Sequence, residues 1–286
     1  MTPLYYKAPG GNFGDDLNQW LWPRLIPDFS SLLPSSVFVG IGTILDQRIP
    51  RDQDVAILGT GYRPQAASFS IAPNWKVYGV RGHLTTDALG LPGSLAIGDP
   101  AHLITTVANF PSSGESSLVG LVPHYSSLQA DENGWNQCAD RCDLELVSPC
   151  NDVDVVVSEI AKCDRILTES LHGAIVAETL RIPWLCFRST TRHSEGMEVN
   201  NFKWQDWCST LSISHQPLNL PMLWAASGIL GNLRRSVKIQ LLCKELRKAR
   251  DSSRFQLSKT VILEQRIQML SDAVGTFIEE ATQHGF

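Results

Sequence analysis

Short apolar runs that are followed within two residues by glycine limit most strongly how this chain can fold. In the first half they cover residues 37–41, 55–58 and 76–80. Strands that are buried on both faces of a sheet show such continuous runs, whereas half-exposed strands alternate apolar and polar residues. We therefore predict an α/β fold with a parallel sheet covered by helices, in which the loops after the strand ends line a crevice.

The second half of the chain repeats this alternation of strands and helices. Strands are predicted at residues 118–122, 144–147, 166–168 and 184–187, and helices at 153–163 and 171–180. A stretch rich in proline, serine and glycine at residues 109–117 has the composition of a linker. The predicted organisation is two doubly wound domains that face each other across a cleft, residues 1–112 and 117–230, followed by a helical segment, residues 231–286.

The helical segment contains two apolar stripes at helical spacing. The first consists of Leu233, Val237, Leu241 and Leu242, and the second of Leu263, Ile267, Leu270, Val274 and Phe277. Basic residues surround the first stripe. A solvated basic face on a packing helix is the commoner explanation of such a pattern, and a helix that lies on a membrane surface is the alternative.

The overall composition excludes several classes of protein. The 24 lysines and arginines are outnumbered by 29 aspartates and glutamates, which argues against nucleic-acid binding. No apolar run is long enough to span a membrane, and the first residues lack the pattern of a secretory signal, so we expect a cytoplasmic protein. Of the seven cysteines only Cys138 and Cys142 approach metal-ligand spacing, without a second pair to match, so we expect free thiols and no metal site.

The loop after the predicted strand 166–168 holds the strongest candidate for a functional residue. His172 follows Ser170 there, on the first turn of the predicted helix 171–180. Unpaired backbone N–H groups and the helix dipole attract anions at such a position. We therefore expect phosphate or carboxylate to bind beside His172, with a capping or core histidine as the alternative.

Other candidate residues follow the remaining predicted strands. They are Asn12, Gly14, Asp15, Arg81, Asp99, His124, Arg188, Arg192 and Lys203. Glycine lets the backbone approach a ligand, and the arginine side chain presents a fork of N–H groups that fits carboxylate or phosphate. Taken singly, each residue is explained as well by a turn, a helix cap or a surface salt bridge.

Taken together, the segments resemble the polysaccharide pyruvyl transferase family, and specifically the ketal pyruvyl transferases of bacterial exopolysaccharide synthesis, such as those for xanthan and succinoglycan. The matching segments occur in the family's order between about residues 5 and 210. They are NFGDDL (12–17), GTIL (42–45), GTG (59–61), VRGHLT (80–85), GDP (98–100), VPH (122–124), LHGAIVA (171–177) and FKWQDW (202–207). Each is weak alone, and the ordered set carries the resemblance.

The resemblance implies two Rossmann-like domains arranged as in GT-B glycosyltransferases. It also implies phosphoenolpyruvate as the donor, a hexose of a lipid-linked oligosaccharide or exopolysaccharide as the acceptor, and a cyclic pyruvate ketal and phosphate as products. This reaction requires neither a redox cofactor nor a metal. Many relatives carry arginine two places before the histidine, where this chain has Ser170. Donor binding would then depend on other cations, and we nominate Arg81, Arg188, Arg192 and Lys203.

Ketal formation requires anion binding, a proton delivered to the donor's methylene carbon, and removal of protons from two sugar hydroxyls. A histidine exchanges protons near neutral pH, which makes His172 the predicted catalytic residue. Asp15 is the predicted base or hydroxyl ligand, and His124 a second proton carrier. The backbone N–H groups of Gly173 and Ala174 would hold the phosphate. The predicted substrate-binding residues are Asn12, Gly14, Arg81, Asp99, Ser170, Gly173, Arg188, Arg192 and Lys203.

Two alternative functions stay open at this point. A nucleotide-sugar glycosyltransferase would share the inferred architecture, and Glu178, on the helix after His172, would then contact a ribose. A non-catalytic binding protein, with a site degraded at Ser170, would bind the donor without releasing phosphate. A peripheral contact with the inner face of the cytoplasmic membrane is a further expectation, and the sequence gives no oligomeric state.

Overall fold

A computed structural model describes residues 1–64, 69–110, 117–189, 196–223 and 228–283. It confirms the predicted α/β class, with parallel sheets and helices at the C-terminal end of the chain. The predicted linker at residues 109–117 lies mostly outside the described residues.

The first half of the chain forms a four-stranded parallel sheet in the order β1-β2-β4-β6. Two further strands, β3 and β5, pair with each other beside it. The strands are β1 (Thr2–Pro3), β2 (Val37–Val39), β3 (Thr43–Leu45), β4 (Val55–Leu58), β5 (Gly61–Tyr62) and β6 (Trp75–Gly79). The helices are α1 (Phe13–Leu25), α2 (His83–Leu89) and α3 (Ile104–Val107), with 3₁₀ turns at Gly93–Leu95 and Pro100–Leu103.

The second half forms a five-stranded parallel sheet in the order β11-β10-β9-β7-β8. Its strands are β7 (Val119–Val122), β8 (Glu145–Leu146), β9 (Arg165–Thr168), β10 (Trp184–Ser189) and β11 (Leu218–Leu220). Its helices are α4 (Tyr125–Ala130), α5 (Glu132–Cys142), α6 (Val153–Ala161), α7 (Leu171–Thr179) and α8 (Met197–Leu211).

Two long helices, α9 (Gly228–Arg250) and α10 (Thr260–Gln283), complete the chain. The apolar stripe predicted for α10 is confirmed, since four of its members are buried in the main core: Leu263, Leu270, Val274 and Phe277. Phe277 packs edge-on against Phe38 of β2, so α10 packs against the first sheet. Among the described residues, no helix is both long and apolar enough to cross a membrane.

The apolar stripe predicted for α9 is only partly correct. Leu242 is buried, but Leu233, Val237 and Leu241 are exposed. The buried face of α9 is a different one, which packs on α5 and carries Ile239, Leu242, Cys243, Leu246 and Ala249. Helix α9 therefore has two apolar faces, and the face that packs into the core is not the one that the sequence spacing predicted.

The main core continues from the first half of the chain into the second. Helix α1 contributes Phe13, Leu17 and Leu21, and it packs against α6 and α7 of the second half. A buried amide ties α1 to its own sheet: Asn18 donates to the carbonyl of Ile41 at 3.0 Å and accepts from its N–H at 2.9 Å. These contacts bring the loops after β2 and β9 to the same place.

Candidate active site

A cavity of about 390 Å³ lies where these loops meet. Residues from both halves line it, and most follow the carboxyl ends of parallel strands, where the loops of α/β proteins commonly bind ligands. Of the residues singled out from the sequence, seven are among the lining residues: Asn12, Asp15, Arg81, His124, Ser170, His172 and Lys203.

Ser170 caps the helix that carries His172. The Ser170 N–H donates to Thr168 Oγ1 at 3.0 Å at the end of β9, which fixes the turn into α7. The Ser170 hydroxyl accepts from the Gly173 N–H at 3.3 Å, and its carbonyl accepts from the Ala174 N–H at 3.2 Å. Both N–H groups that were expected to hold phosphate are therefore already bonded to Ser170, and this geometry does not favour a phosphate site there.

His172 is held on three sides. Phe13 contacts the imidazole edge-on, with ring centroids 6.5 Å apart. Gly14 lies so close to Nδ1 that a Cβ atom at this position would collide with the ring. On the far side, Nε2 lies 3.8 Å from Asp99 Oδ2. Gly14 and Asp99, both expected to bind substrate, are in this structure neighbours of His172 and are not among the residues that line the cavity.

Asp99 is a fully buried carboxyl group. Its Oδ1 accepts from the Ala101 N–H at 3.0 Å and so caps the 3₁₀ turn Pro100–Leu103. Its Oδ2 has no hydrogen-bond partner among the described residues. Burial raises the pKa of Asp99 from 3.8 to about 6, because desolvation outweighs the attraction of the positive charge on Arg81.

Arg81 lines the cavity although its side chain is fully buried. Its Nε lies 3.1 Å from Asp206 Oδ2, and its Nη1 donates to the Gly42 carbonyl at 3.2 Å and to Thr43 Oγ1 at 2.9 Å. Its Nη2 has no hydrogen-bond partner within the described part of the chain. Gly61 packs on this nitrogen at a distance that leaves no room for a side chain. A buried guanidinium with an unused donor is well suited to bind an anion.

Asp206 links α8 to the first half of the chain. Its carboxylate accepts from the Thr85 N–H at 2.9 Å and from Thr85 Oγ1 at 2.7 Å, in addition to the ion pair with Arg81. Lys203 precedes Asp206 by three residues, which places both on the same face of α8. Lys203 is buried and lines the cavity.

Two arginines of the first half, Arg48 and Arg63, also line the cavity and were not nominated from the sequence. The sequence contains a signal that could have identified Arg63, because this residue closely follows the strand-end segment GTG. Arg48 lies in none of the motifs. Arg48 makes an ion pair with Asp46 at 2.6 Å. Tyr6 and Tyr125 are further lining residues that sequence reasoning missed.

The two other predicted catalytic residues line the cavity from different halves of the chain. Asp15 is on α1, where its Oδ2 accepts from the Asn12 amide at 2.6 Å. His124 follows β7, and its Nδ1 lies 2.7 Å from the Ser126 hydroxyl. The backbone of His124 is held by Glu169, a buried carboxylate that sequence reasoning missed and that accepts from the His124 N–H at 3.1 Å.

Of the remaining nominated cations, Arg188 is not brought into the cavity. Arg188 lies on β10 and donates to the side-chain oxygens of Asn201 and Asn219, each at 3.0 Å. It is not among the lining residues. Arg192 lies outside the described residues. The cationic lining within the described part of the chain therefore comes from Arg48, Arg63, Arg81 and Lys203.

Glu178, the feature that favoured a nucleotide-sugar enzyme, is a buried structural residue. Its carboxylate accepts from the Trp184 indole at 2.8 Å and from the Ser258 hydroxyl at 2.6 Å, and it forms an ion pair with Arg181 at 2.8 Å. These bonds fasten α7 to the segment before α10. A ribose contact at Glu178 would require this network to break.

The fold and the cavity define an α/β protein with a cationic, histidine-containing site between two parallel sheets. The sequence model of the family described as polysaccharide pyruvyl transferase matches residues 9–190, and the chain belongs to this family. It is therefore an enzyme, a polysaccharide pyruvyl transferase.

Two relatives span most of the chain. The succinoglycan biosynthesis protein ExoV of Rhizobium meliloti (strain 1021) is 33% identical over 236 residues, which cover 82% of this chain and 72% of the relative. An uncharacterized protein of Acanthamoeba polyphaga mimivirus is 22% identical over 223 residues, which cover 73% and 74% of the two chains. No solved structure gives a significant match.

Proposed function

We propose that this enzyme transfers the pyruvyl group of phosphoenolpyruvate to a hexose of an exopolysaccharide or a lipid-linked oligosaccharide, forming a pyruvate ketal and releasing phosphate. Family membership supports the pyruvyl transfer. The similarity to a protein named for succinoglycan biosynthesis supports an exopolysaccharide as the acceptor. In this proposal the two sheets belong to two Rossmann-like domains of GT-B type, the cavity is the cleft between them, and the reaction takes place in the cytoplasm.

The observation that carries the choice of donor is the unused Nη2 of the buried Arg81, in a cavity that also contains Arg63 and Lys203. A buried guanidinium that lacks one of its hydrogen bonds gains more from an anion than an exposed arginine does, because its own desolvation is already complete. Phosphoenolpyruvate carries two anionic groups, a carboxylate and a phosphate. The lining cations have the opposite charge, and Arg63 and Lys203 accompany the unused donor of Arg81.

His172 supplies the first proton in the proposed reaction. It gives this proton to the methylene carbon of phosphoenolpyruvate, which becomes the methyl group, and the first sugar hydroxyl adds to the adjacent carbon and loses its proton. The bond from this carbon to the phosphate oxygen then breaks. The second hydroxyl adds to the same carbon and loses its proton, so the products are the ketal and hydrogen phosphate. Asp15 and His124, which come from different halves of the chain, accept the hydroxyl protons; one of these protons passes to the departing phosphate and the other returns to His172.

Asp99 is the positioning residue for His172 in this scheme. It lies 3.8 Å from Nε2 with an oxygen that has no other partner in the described structure, and it is not among the residues that line the cavity. A carboxylate there fixes the orientation of the ring and stabilises its protonated form, which is the form that the first step requires. Gly14 keeps the opposite side of the ring in place by close packing.

The test of the proposed function is phosphate release from phosphoenolpyruvate in the presence of a panel of lipid-linked oligosaccharides, with the product mass read for one added pyruvyl unit. We expect release that depends on the acceptor, and loss of release in His172→Gln. His83→Gln is the control, because His83 is not among the residues that line the cavity. Near-normal turnover of His172→Gln would remove this residue from the catalytic role.

Thermal shift distinguishes the alternative functions. A ligand that binds the folded chain raises its melting temperature. We expect phosphoenolpyruvate to do so, and nucleoside diphosphates to have no effect. A shift with nucleoside diphosphates alone would favour a glycosyltransferase, and a shift with phosphoenolpyruvate without phosphate release would favour a binding protein.

A further inference from the structure

The outward face of α9 exposes a row of large aliphatic side chains. Leu230, Leu233, Val237 and Leu241 are 71%, 63%, 48% and 49% exposed. Their spacing places them in one stripe along three turns of the helix. Exposed aliphatic residues are ordinary when scattered, but a contiguous row of four marks an interaction surface.

Basic residues accompany this stripe. Helix α9 contains seven lysines and arginines and only one acidic residue, whereas the chain as a whole has a net charge of −5. Some of the cations serve the fold, since Arg235 pairs with Asp131 at 2.6 Å and Arg250 with Asp143 at 3.1 Å. Of the exposed ones, Arg234, Lys244 and Lys248 lie within the angular range of the aliphatic stripe or directly beside it, whereas Arg247 donates to the Arg141 carbonyl at 2.7 Å.

The stripe is not the packing face of the helix. On the opposite side Ile239, Leu242 and Leu246 are buried against α5. The helix is therefore held to the body of the protein by one apolar face and presents a second one to its surroundings.

We propose that this face docks on an anionic membrane surface. An amphipathic helix that lies in the interface inserts its aliphatic side chains at the level of the headgroups and places lysine and arginine beside the lipid phosphates. A second copy of the chain fits less well, because a contact between two copies of this face would bring together two sets of exposed cations, each with Arg234, Lys244 and Lys248. The proposal rests on α9 alone and does not depend on the donor or the acceptor.

The test is sedimentation of the full chain with vesicles. We expect binding to vesicles of phosphatidylcholine mixed with phosphatidylglycerol, little binding to phosphatidylcholine alone, and weaker binding at high salt. The double variant Leu233→Gln/Val237→Gln should weaken binding about tenfold or more, and Arg234→Glu/Lys244→Glu should do so as well. The matched control is Val155→Gln/Val261→Gln, which changes two exposed valines on other helices and should bind like the wild type.

Phosphate release with a water-soluble acceptor and the thermal unfolding midpoint should be unchanged in all of these variants, because none of them alters the cavity or the core. Failure of the wild type to bind anionic vesicles would overturn the proposal, and so would equal loss of binding in the control. Analytical ultracentrifugation without lipid provides the third outcome. If the wild type is a dimer and Leu233→Gln/Val237→Gln is a monomer, the stripe is a contact between copies and not a membrane surface.

Discussion

Replacing Asp99 with asparagine should make the protein more stable and the enzyme slower. The amide oxygen of asparagine can still accept the hydrogen bond from the Ala101 N–H, which the carboxylate accepts at 3.0 Å, so the cap of the 3₁₀ turn survives. The change removes only the negative charge beside His172. The substitution therefore separates the charge of Asp99 from its place in the fold.

The expected gain in stability follows from the pKa of Asp99, which burial raises from 3.8 to about 6. The difference between these two pKa values corresponds to roughly 3 kcal/mol, and solvent does not screen it because Asp99 is fully buried. A raised pKa means that the folded chain favours the protonated carboxyl. The stability that the protonated Asp99 contributes is fully present below about pH 4. It is lost as the pH rises through about 6, where the buried carboxyl group ionises.

Asparagine carries no charge at any pH, so a protein with asparagine at this position does not lose this stability as the pH rises. The free energy of unfolding of Asp99→Asn should therefore exceed that of the wild type by up to about 3 kcal/mol at pH 8, and by almost nothing at pH 4. The melting temperature at pH 8 should rise by roughly 6 °C. Thermal unfolding across this pH range measures the difference directly.

Turnover should change in the opposite direction. Without the carboxylate, the imidazole loses its orientation and its charge partner, and we expect kcat to fall about 100-fold with the KM for phosphoenolpyruvate nearly unchanged. The basic limb of the pH profile of kcat should move to lower pH, an effect that a merely structural role would not produce.

Asp131→Asn is the matched control for this prediction. Asp131 also caps a helix, accepting from the Gly134 N–H at 2.9 Å, but its charge partner is Arg235 and not a histidine. We expect this control to lose stability and to keep its turnover and pH profile. A variant Asp99→Asn that is less stable than the wild type at pH 8 would refute the reasoning from burial. One that keeps its kcat and its pH profile would refute the positioning role.

Two further predictions concern close contacts in the core. Gly14→Ala should reduce turnover by at least about tenfold in the phosphate-release assay, because the new methyl group displaces His172; Gly275→Ala, at an open helical position, is the control, and equal activities would contradict the packing argument. Trp207→Phe removes the donor of a 3.0 Å hydrogen bond to the buried His102 Nε2 and should cost roughly 2–4 kcal/mol in denaturant unfolding, whereas an unchanged midpoint would show that this bond contributes nothing.

Sequence patterns predicted the buried strands well, because burial on both faces leaves a continuous apolar run. The strand predicted at residues 55–58 coincides with β4, Val55–Leu58. Helices α5 and α8 were missed, although α5 carries a helical signal in Trp135, Cys138, Ala139 and Cys142, all buried. The polar residues between them obscured this spacing. Periodicity therefore succeeds where the apolar signal is uninterrupted.

Helix α9 shows a second limit of sequence patterns. Its periodicity correctly indicated a helix, but the chain has aliphatic residues on two sides, and the side with Leu233 and Val237 is exposed. Nothing local distinguishes a stripe that faces the core from one that faces outward, since both repeat every three or four residues. The choice depends on whether α5 presents a matching apolar face, which is a property of the tertiary structure.

The residues that line the cavity were predictable where they follow a strand end, as His172, His124 and Arg81 do. Arg48 was not, because it lies in an irregular segment after β3 and reaches the cavity only through the packing of the two halves. Glu169 was equally hidden: its carboxylate accepts from His124 and from Ser189, residues that adjoin it only in the folded sheet.

The most distinctive property of the proposed donor site is that most of its cations come from one half of the chain and its histidine from the other. Ser170, at the position where the family resemblance implies arginine, caps α7. Three of the four lining cations, Arg48, Arg63 and Arg81, come from the first half of the chain, whereas His172 comes from the second. A donor whose anionic groups bind the first half while its methylene carbon meets His172 must bridge both halves. The ion pair between Arg81 and Asp206, at 3.1 Å, joins the two halves beside this cavity, so it links the element that would hold the donor's anionic groups to the half that carries His172.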